Sequence, residues 1–195
     1  MITSRSTETT VLDAARDAIL AVGWRRTTLT DIARRAGVSR MTLYRLWPDT
    51  EALLADLMTR EWVALEERVV AEAPTGVDLW TPESIAHLVV ATARALRAEP
   101  LFQKIVELDP ELLLPYMLDR AGRSQEYSVA RLSVLIEQGV GAGSLREVDA
   151  QQASRALVLA AHGFVFSTHT MVRRGVRERD LDDQLTAIVE GYLKP

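Results

Sequence analysis

Apolar residues recur at intervals of three and four along nearly the whole chain, and no stretch alternates clearly between apolar and polar residues. The first spacing is typical of an amphipathic helix and the second of a half-buried strand. The pattern therefore predicts an all-α protein. The predicted helices cover residues 9–22, 29–36, 40–46, 50–72, 82–98, 101–107, 111–140 (with a break near Gly122), 149–173 and 180–193.

Two of these helices are short and lie close together in the stretch TTLTDIARRAGVSRMTLYRLW, residues 27–47. Thr28 and Asp31 have the spacing of a capping box, in which the hydroxyl accepts from a first-turn amide and the acid reaches back. Gly37 can adopt the left-handed conformation that ends a helix, and Ser39 can cap the next helix. Two short helices joined by such a turn predict a helix-turn-helix.

The second short helix is rich in polar and basic side chains. If Leu43, Leu46 and Trp47 face inward, the outward positions are Arg40, Met41, Thr42, Tyr44 and Arg45. Arginine and threonine can contact base edges, methionine can pack on a thymine methyl group, and a tyrosine hydroxyl can bind a phosphate. Ser39 at the helix start, with Thr27 and Thr28 before the preceding helix, is expected to add contacts to the DNA backbone. The alternative is a helical hairpin whose polar face is merely solvated.

The net charge of −4 taken over the whole chain argues against a nucleic-acid binder, but the charge is unevenly distributed. Residues 1–50 hold eight Arg against five acidic residues, whereas the remainder is acidic overall. Between residues 23 and 48, the basic residues face only Asp31. A small basic head on an acidic body is typical of a duplex-binding module. On charge alone, a solvated basic face is an equal alternative.

Composition limits the class of protein. With 48% hydrophobic and 26% charged residues, the chain is expected to be globular, and the absence of cysteine excludes disulfides and agrees with a cytosolic protein. The longest apolar stretch, residues 157–166, has about half of the roughly 20 residues that a bilayer requires. The first ten residues are polar, so the sequence predicts neither a membrane span nor a signal peptide.

No pattern of catalytic residues is apparent. His87, His162 and His169 lack the i, i+4 spacing of a helical metal pair, and no glycine-rich phosphate loop follows a strand. The sequence therefore predicts no enzyme, no metal and no cofactor. A helical adaptor that binds only proteins is the remaining alternative, and it would leave the basic helix unexplained.

Residues from about 9 to 57, above all TTLTDIARRAGVSRMTLYRLWPDTEALL, closely resemble the N-terminal DNA-binding domain of tetracycline-repressor-like (TetR family) transcriptional regulators. The resemblance implies an all-helical homodimer with a helix-turn-helix domain, placed at residues 1–48, and a C-terminal domain, residues 49–195, that binds a small-molecule effector. It implies a regulator, most simply a repressor, released from a pseudo-palindromic operator by that effector. Two positions depart from the family: Met41, often glycine, is expected to change the bases read, and Thr50, often lysine, removes a phosphate contact.

The resemblance also implies an effector cavity in the C-terminal domain. Aromatic, apolar and histidine side chains are the candidates to line it, although each taken singly is more simply explained as a core residue. The candidates are Trp62, Phe102, Met117, Tyr127, His162 and Phe166.

The last two helices are the ones that form the dimer in the resembling family. The helix over residues 149–173 is apolar on more than one face and carries small side chains, as expected of a helix that serves both its own core and a partner. The alternative is a fully buried central helix in a monomer. The candidate interface residues are Ala156, Ala160, Phe164, Leu185, Ile188 and Val189.

Overall fold

The computed structural model describes residues 2–74 and 76–195, with side chains from residue 6 onwards. This part of the chain is all-α, as predicted, and contains ten α-helices and one 3-10 turn over Pro110–Leu112. The helices are α1 (Ile2–Val22), α2 (Leu29–Ala36), α3 (Arg40–Leu46), α4 (Thr50–Ala71), α5 (Pro82–Ala98), α6 (Pro100–Leu108), α7 (Leu114–Leu118), α8 (Arg123–Gly141), α9 (Ala150–Met171) and α10 (Glu178–Leu193).

Two predicted helices differ from the observed ones. Helix α1 begins at Ile2 rather than at residue 9. The long helix predicted over residues 111–140 is instead the 3-10 turn, the short α7 and α8, with the expected break at residues 119–122. Pro115 lies in the first turn of α7, where a missing N–H removes no helical hydrogen bond.

The chain folds into two compact units. The first comprises the residues up to Trp62 together with Ala98–Arg123, and the second comprises Val63–Arg97 and Ser124–Pro195. The division into domains at residue 48 stays a prediction.

The first unit is built around one apolar core, which holds the helix-turn-helix from the inside. Side chains of α1, α2, α3, the start of α4 and α6 contribute to it. Ile19, Ile32 and Leu43 are fully buried, and Leu101 and Ile105 add the contribution of α6. The outward faces of α2 and α3 are thereby fixed.

The second unit contains α5, α8, α9, α10 and the C-terminal part of α4. Asp182 on α10 is 3% exposed and accepts hydrogen bonds from Arg94 Nε and Arg97 Nη2 of α5, each at 2.7 Å. Arg97 Nη1 also donates to the Phe164 carbonyl of α9 at 3.4 Å. This charge cluster, in which Asp182 and Arg97 are largely buried and Arg94 is exposed, joins three helices.

None of the helices in the described ranges is both long and apolar enough to span a membrane.

Candidate nucleic-acid interface

Helix α2 begins with half of the predicted capping box. Thr28 Oγ1 accepts a hydrogen bond from the Asp31 N–H at 3.1 Å, as expected. The Asp31 carboxylate, expected to reach back, instead accepts from Arg34 and, at 2.9 Å, from Arg35 Nε. Hydrogen bonds from Arg34 and Arg35 hold the pKa of Asp31 below its ordinary value. The carboxylate binds the two arginines rather than the backbone because a guanidinium carries a full positive charge and a backbone N–H does not.

The turn between α2 and α3 has the predicted geometry. Gly37 has φ +67°, and its N–H donates to the carbonyls of Ala33 and Arg34. Beyond Gly37 itself and its chain neighbours, nothing lies within 4 Å of the place where a side chain would begin, so the backbone conformation, and not the space, favours glycine here. Ser39 then caps α3: its Oγ accepts from the Thr42 N–H at 3.1 Å and lies 2.9 Å from Thr42 Oγ1.

Helix α3 presents one apolar and one polar face, as predicted. Leu43 is fully buried, and the adjoining Trp47 is 4% exposed. Trp47 Nε1 donates to Asp56 Oδ2 at 2.7 Å, which ties the C-terminal end of α3 to α4. On the other face Met41 is 80% exposed and Tyr44 53% exposed.

The loop before α2 is held by a residue far along the chain. The buried Asp109, which ends α6, accepts from the Trp24 N–H at 2.8 Å and the Arg25 N–H at 3.4 Å. Arg25 Nε lies 3.8 Å from the same carboxylate. Thr27 is 7% exposed, and its hydroxyl donates to the Gly23 carbonyl at 2.8 Å. Because that hydroxyl is buried and used within the loop, the contact expected between the Thr27 side chain and DNA does not fit this geometry; Thr28 is exposed.

The arginines of the basic segment, residues 23–48, differ in whether an acidic side chain pairs with them. Arg34 and Arg35 of α2 are paired with Asp31, and Arg25 is paired outside the segment. Arg40 and Arg45 of α3 are exposed, and neither has an ion pair among the residues that the structure describes. The positive charge of α3 is therefore available to a partner, and a polyanion is the partner that it favours.

A family model described as "Bacterial regulatory proteins, tetR family" matches residues 11–57, which include α2 and α3. The chain is 33% identical over 183 residues to the HTH-type transcriptional regulator Mb2274c of Mycobacterium bovis, an alignment that covers 94% of this chain and 92% of that protein. The chain belongs to the TetR family. It is a DNA-binding transcriptional regulator and not an enzyme.

Solved structures of other transcriptional regulators share the fold along nearly the whole chain. The transcriptional repressor QsdR of R. erythropolis superposes with a TM-score of 0.70 at 19% identity, covering 98% of this chain and 97% of that chain. FadR of Bacillus subtilis in complex with stearoyl-CoA superposes with a TM-score of 0.63 at 18% identity, covering 94% of this chain and 98% of that chain. Both support an N-terminal helix-turn-helix followed by a helical C-terminal domain.

In this TetR-family chain, the predicted effector residues fall into both units. Trp62, Phe102 and Met117 belong to the first unit, where Phe102 is 6% exposed and Met117 is exposed. Tyr127, His162 and Phe166 belong to the second unit. There the rings of His162 and Phe166 meet edge to face with centroids 6.0 Å apart, while Tyr127 accepts from Arg131 Nη1 at 2.8 Å. The effector contacts of all six stay predictions.

His162 is the most buried of the three histidines. It is partly buried, its Nδ1 lies 3.4 Å from Gln125 Nε2, and burial lowers its pKa. His87 and His169 are exposed. Among the described residues, no group of three or more His, Asp or Glu side chains is placed to hold a metal ion.

The predicted interface residues of α9 and α10 divide by burial. Ala156 and Ile188 are exposed, and Ala160 and Phe164 are partly exposed. Leu185 and Val189 are fully buried in the core of their own unit, so their side chains offer no surface to a second copy and the prediction for these two needs correction. Leu159, which the sequence reasoning missed, is 72% exposed. Its spacing of three from Ala156 and four from Gly163 places it on the same helical face, which is the signal that could have found it.

Proposed function

We propose that the protein is a homodimeric repressor that binds a pseudo-palindromic operator through α3 and leaves it when a small molecule binds the domain of residues 49–195. The observation that carries the proposal is the outer face of α3. Arg40 and Arg45 are exposed without ion pairs, beside the exposed Met41 and Tyr44. Two unpaired guanidinium groups beside a tyrosine hydroxyl and an apolar side chain match the phosphates and base edges of a DNA groove.

The proposed contacts divide into base reading and anchoring. Arg45 and Arg40 read base edges, since an arginine can make two parallel hydrogen bonds to guanine. Tyr44 binds a phosphate through its hydroxyl. Thr28 Oγ1 accepts one bond within α2, which leaves its O–H free to donate to a phosphate, and Ser39 is exposed at the start of α3. Thr42, partly buried and tied to Ser39, supports the cap of the reading helix.

A dimer is proposed because a symmetric operator requires two reading helices related by a two-fold axis. The exposed faces of α9 and α10 supply a surface of the right kind. Ala156, Leu159 and Gly163 follow one stripe of α9, and Ile188 is 51% exposed on α10. Small side chains permit two helices to approach closely, and large exposed apolar side chains mark an interaction surface.

The effector is proposed to contact α8 and α9, where Tyr127, His162 and Phe166 lie. Phe166 and Tyr127 supply aromatic surface, and His162 with Gln125 supplies polar groups, a combination that suits an organic molecule. A ligand-bound protein of this fold, the FadR complex with stearoyl-CoA, supports effector binding as a property of the architecture. A ligand that prefers a dimer whose two α3 helices are wrongly placed for the operator weakens DNA binding. DNA must then weaken the binding of that ligand by the same factor.

Selection of bound sequences from a random duplex library tests the central part of the proposal. We expect enrichment of a two-fold symmetric consensus, and we expect the double variant Arg40→Ala and Arg45→Ala, which removes exposed side chains only, to lose it. A folded wild-type protein that enriches no sequence would favour the helical adaptor instead.

Repression and release are tested once the consensus is known. In a purified transcription reaction, the protein should reduce the transcript from a promoter that overlaps the consensus. A small molecule found by thermal-shift screening should restore the transcript. It should weaken operator binding by the same factor by which the operator weakens binding of the small molecule. Increased transcription on addition of the protein would show an activator.

A further inference from the structure

Met41 has the largest exposed fraction of any large hydrophobic side chain among the described residues, 80%. It stands in the first turn of α3, on a face whose other exposed members are arginines and a tyrosine. Fully burying a methionine side chain is worth about 1.5–3 kcal/mol relative to leaving it in water. Its exposure is therefore a feature of the unbound protein that a partner could reverse.

Met41 is not part of the apolar core of its unit and does not cap a helix. The core beneath α3 is filled by Leu43 and Trp47, and the helix is capped by Ser39 with Thr42. In the first turn of α3, the side chains that remain without an intramolecular partner in the described structure are those of Arg40 and Met41.

The chemistry of DNA limits what Met41 can recognise. In the major groove, bases present hydrogen-bond donors, hydrogen-bond acceptors and a single kind of apolar group, the C5 methyl of thymine. Methionine has no donor, and its thioether is a weak acceptor. A flexible thioether chain does pack well against irregular apolar surface.

We infer that Met41 packs on the C5 methyl of one thymine in each half-site and makes the protein select thymine at that position. This inference rests on the proposed function, because it requires α3 to lie in the major groove. It assigns to Met41 a specificity that the arginines cannot supply, since guanidinium groups bind acceptors and not methyl groups.

Substitution of deoxyuridine for thymine tests the inference, because it removes only the methyl group and keeps every base-edge donor and acceptor. The operator from the library selection is made with one thymine replaced symmetrically in both half-sites, and binding is measured by fluorescence anisotropy at constant salt. At one position we expect a loss of about fourfold per half-site, the factor that corresponds to about 0.8 kcal/mol for one buried methyl group. Both half-sites together should give about fifteenfold.

Variants identify the side chain that senses the methyl group. Met41→Ala should bind thymine and deoxyuridine operators equally at that position, whereas Met41→Leu, which keeps an apolar side chain, should still distinguish them. Leu118→Ala is the matched control, because Leu118 is 76% exposed and belongs to α7 rather than to the reading helix. It should keep both the affinity and the discrimination of the wild type.

The outcomes separate the inference from the proposed function. If the wild type binds a symmetric operator but Met41→Ala shows the same deoxyuridine effects at every position, the inference is wrong and operator binding stands. If no position responds to loss of the methyl group, the inference is equally wrong. If no sequence is enriched at all, both the proposed function and the inference fail.

Discussion

Tyr44 and Arg45 are neighbours on α3, and they carry different chemical information. Arg45→Ala should cost on the order of 1–3 kcal/mol of operator binding and relax the preference at one position in each half-site, because a guanidinium reads a base edge. Tyr44→Phe should weaken binding to all sequences alike, because a phosphate is the same in every sequence. Binding to a panel of single-base operator variants measures both effects. The reverse assignment would mean that α3 is rotated differently in the groove.

His162 makes the stability of the fold depend on pH. Because burial lowers its pKa in the folded chain, the unfolded chain takes up the proton first, near the ordinary value of about 6.5. The stability that neutral His162 contributes should therefore be fully present above that pH. The free energy of unfolding should decrease as the pH falls through it. Neutral Nδ1 can accept from the Gln125 amide, whereas protonated Nδ1 cannot.

Urea unfolding at pH 7.5 and 5.5 checks this expectation. His162→Gln should flatten the decrease in stability between the two pH values, while His87→Gln, at an exposed position, should leave it unchanged. An equal decrease in His162→Gln and in the wild type would contradict the assignment.

Single residues show where sequence reasoning stops. The exposure of most of the outward set of α3 was predictable, because Leu43 and Trp47 define an apolar face and helical geometry then fixes the opposite one. Thr42 is the exception, since it is partly buried and bonded to Ser39. The burial of Thr27 was not, because it depends on the Gly23 carbonyl in a loop without periodicity. The partner of Arg25 was equally out of reach, since Asp109 is 84 residues away in the sequence.

At the scale of elements, the pairing of Asp182 with Arg94 and Arg97 joins α10 to α5. Asp182→Asn should lower the free energy of unfolding by on the order of 3 kcal/mol, because it removes the charge of a buried carboxylate that pairs with two arginines of α5. Asp183→Asn is the control, since the adjacent Asp183 is exposed and its loss should cost within about 0.5 kcal/mol. Chemical denaturation measures both variants, and equal stabilities would show that the cluster adds nothing.

Most elements were predicted from the spacing of apolar residues, and the exceptions have physical reasons. Caps define α2 and α3 sharply, so their bounds agree with the prediction. Between residues 111 and 140, helical spacing continues through a proline that can begin a helix as well as interrupt one. Apolar spacing on α10 likewise does not distinguish Leu185, which its own core buries, from the exposed Ile188.

At the scale of the whole molecule, the two faces of α10 should respond differently to a charge. Ile188→Glu should dissociate the proposed dimer and keep the helix content, because Ile188 is exposed in the single chain and an unpaired charge is costly in an interface. Leu185→Glu should unfold the chain instead, because Leu185 is fully buried. Light scattering and circular dichroism measure the two effects. A wild type that is already monomeric at micromolar concentration would refute the dimer.

The contribution of α6 to the first core bears on the order in which the protein is made. When residue 62 has been synthesised, the helix-turn-helix is complete in sequence, but Leu101, Ile105 and Asp109 do not yet exist. At about 5–20 residues per second, the ribosome needs about 2–10 s to reach Asp109. During that interval the first unit lacks two of its core side chains, Leu101 and Ile105, and the Asp109 carboxylate that fixes the loop before α2. We therefore expect the first unit to complete its core and fix the loop before α2 only after more than half of the chain has been translated.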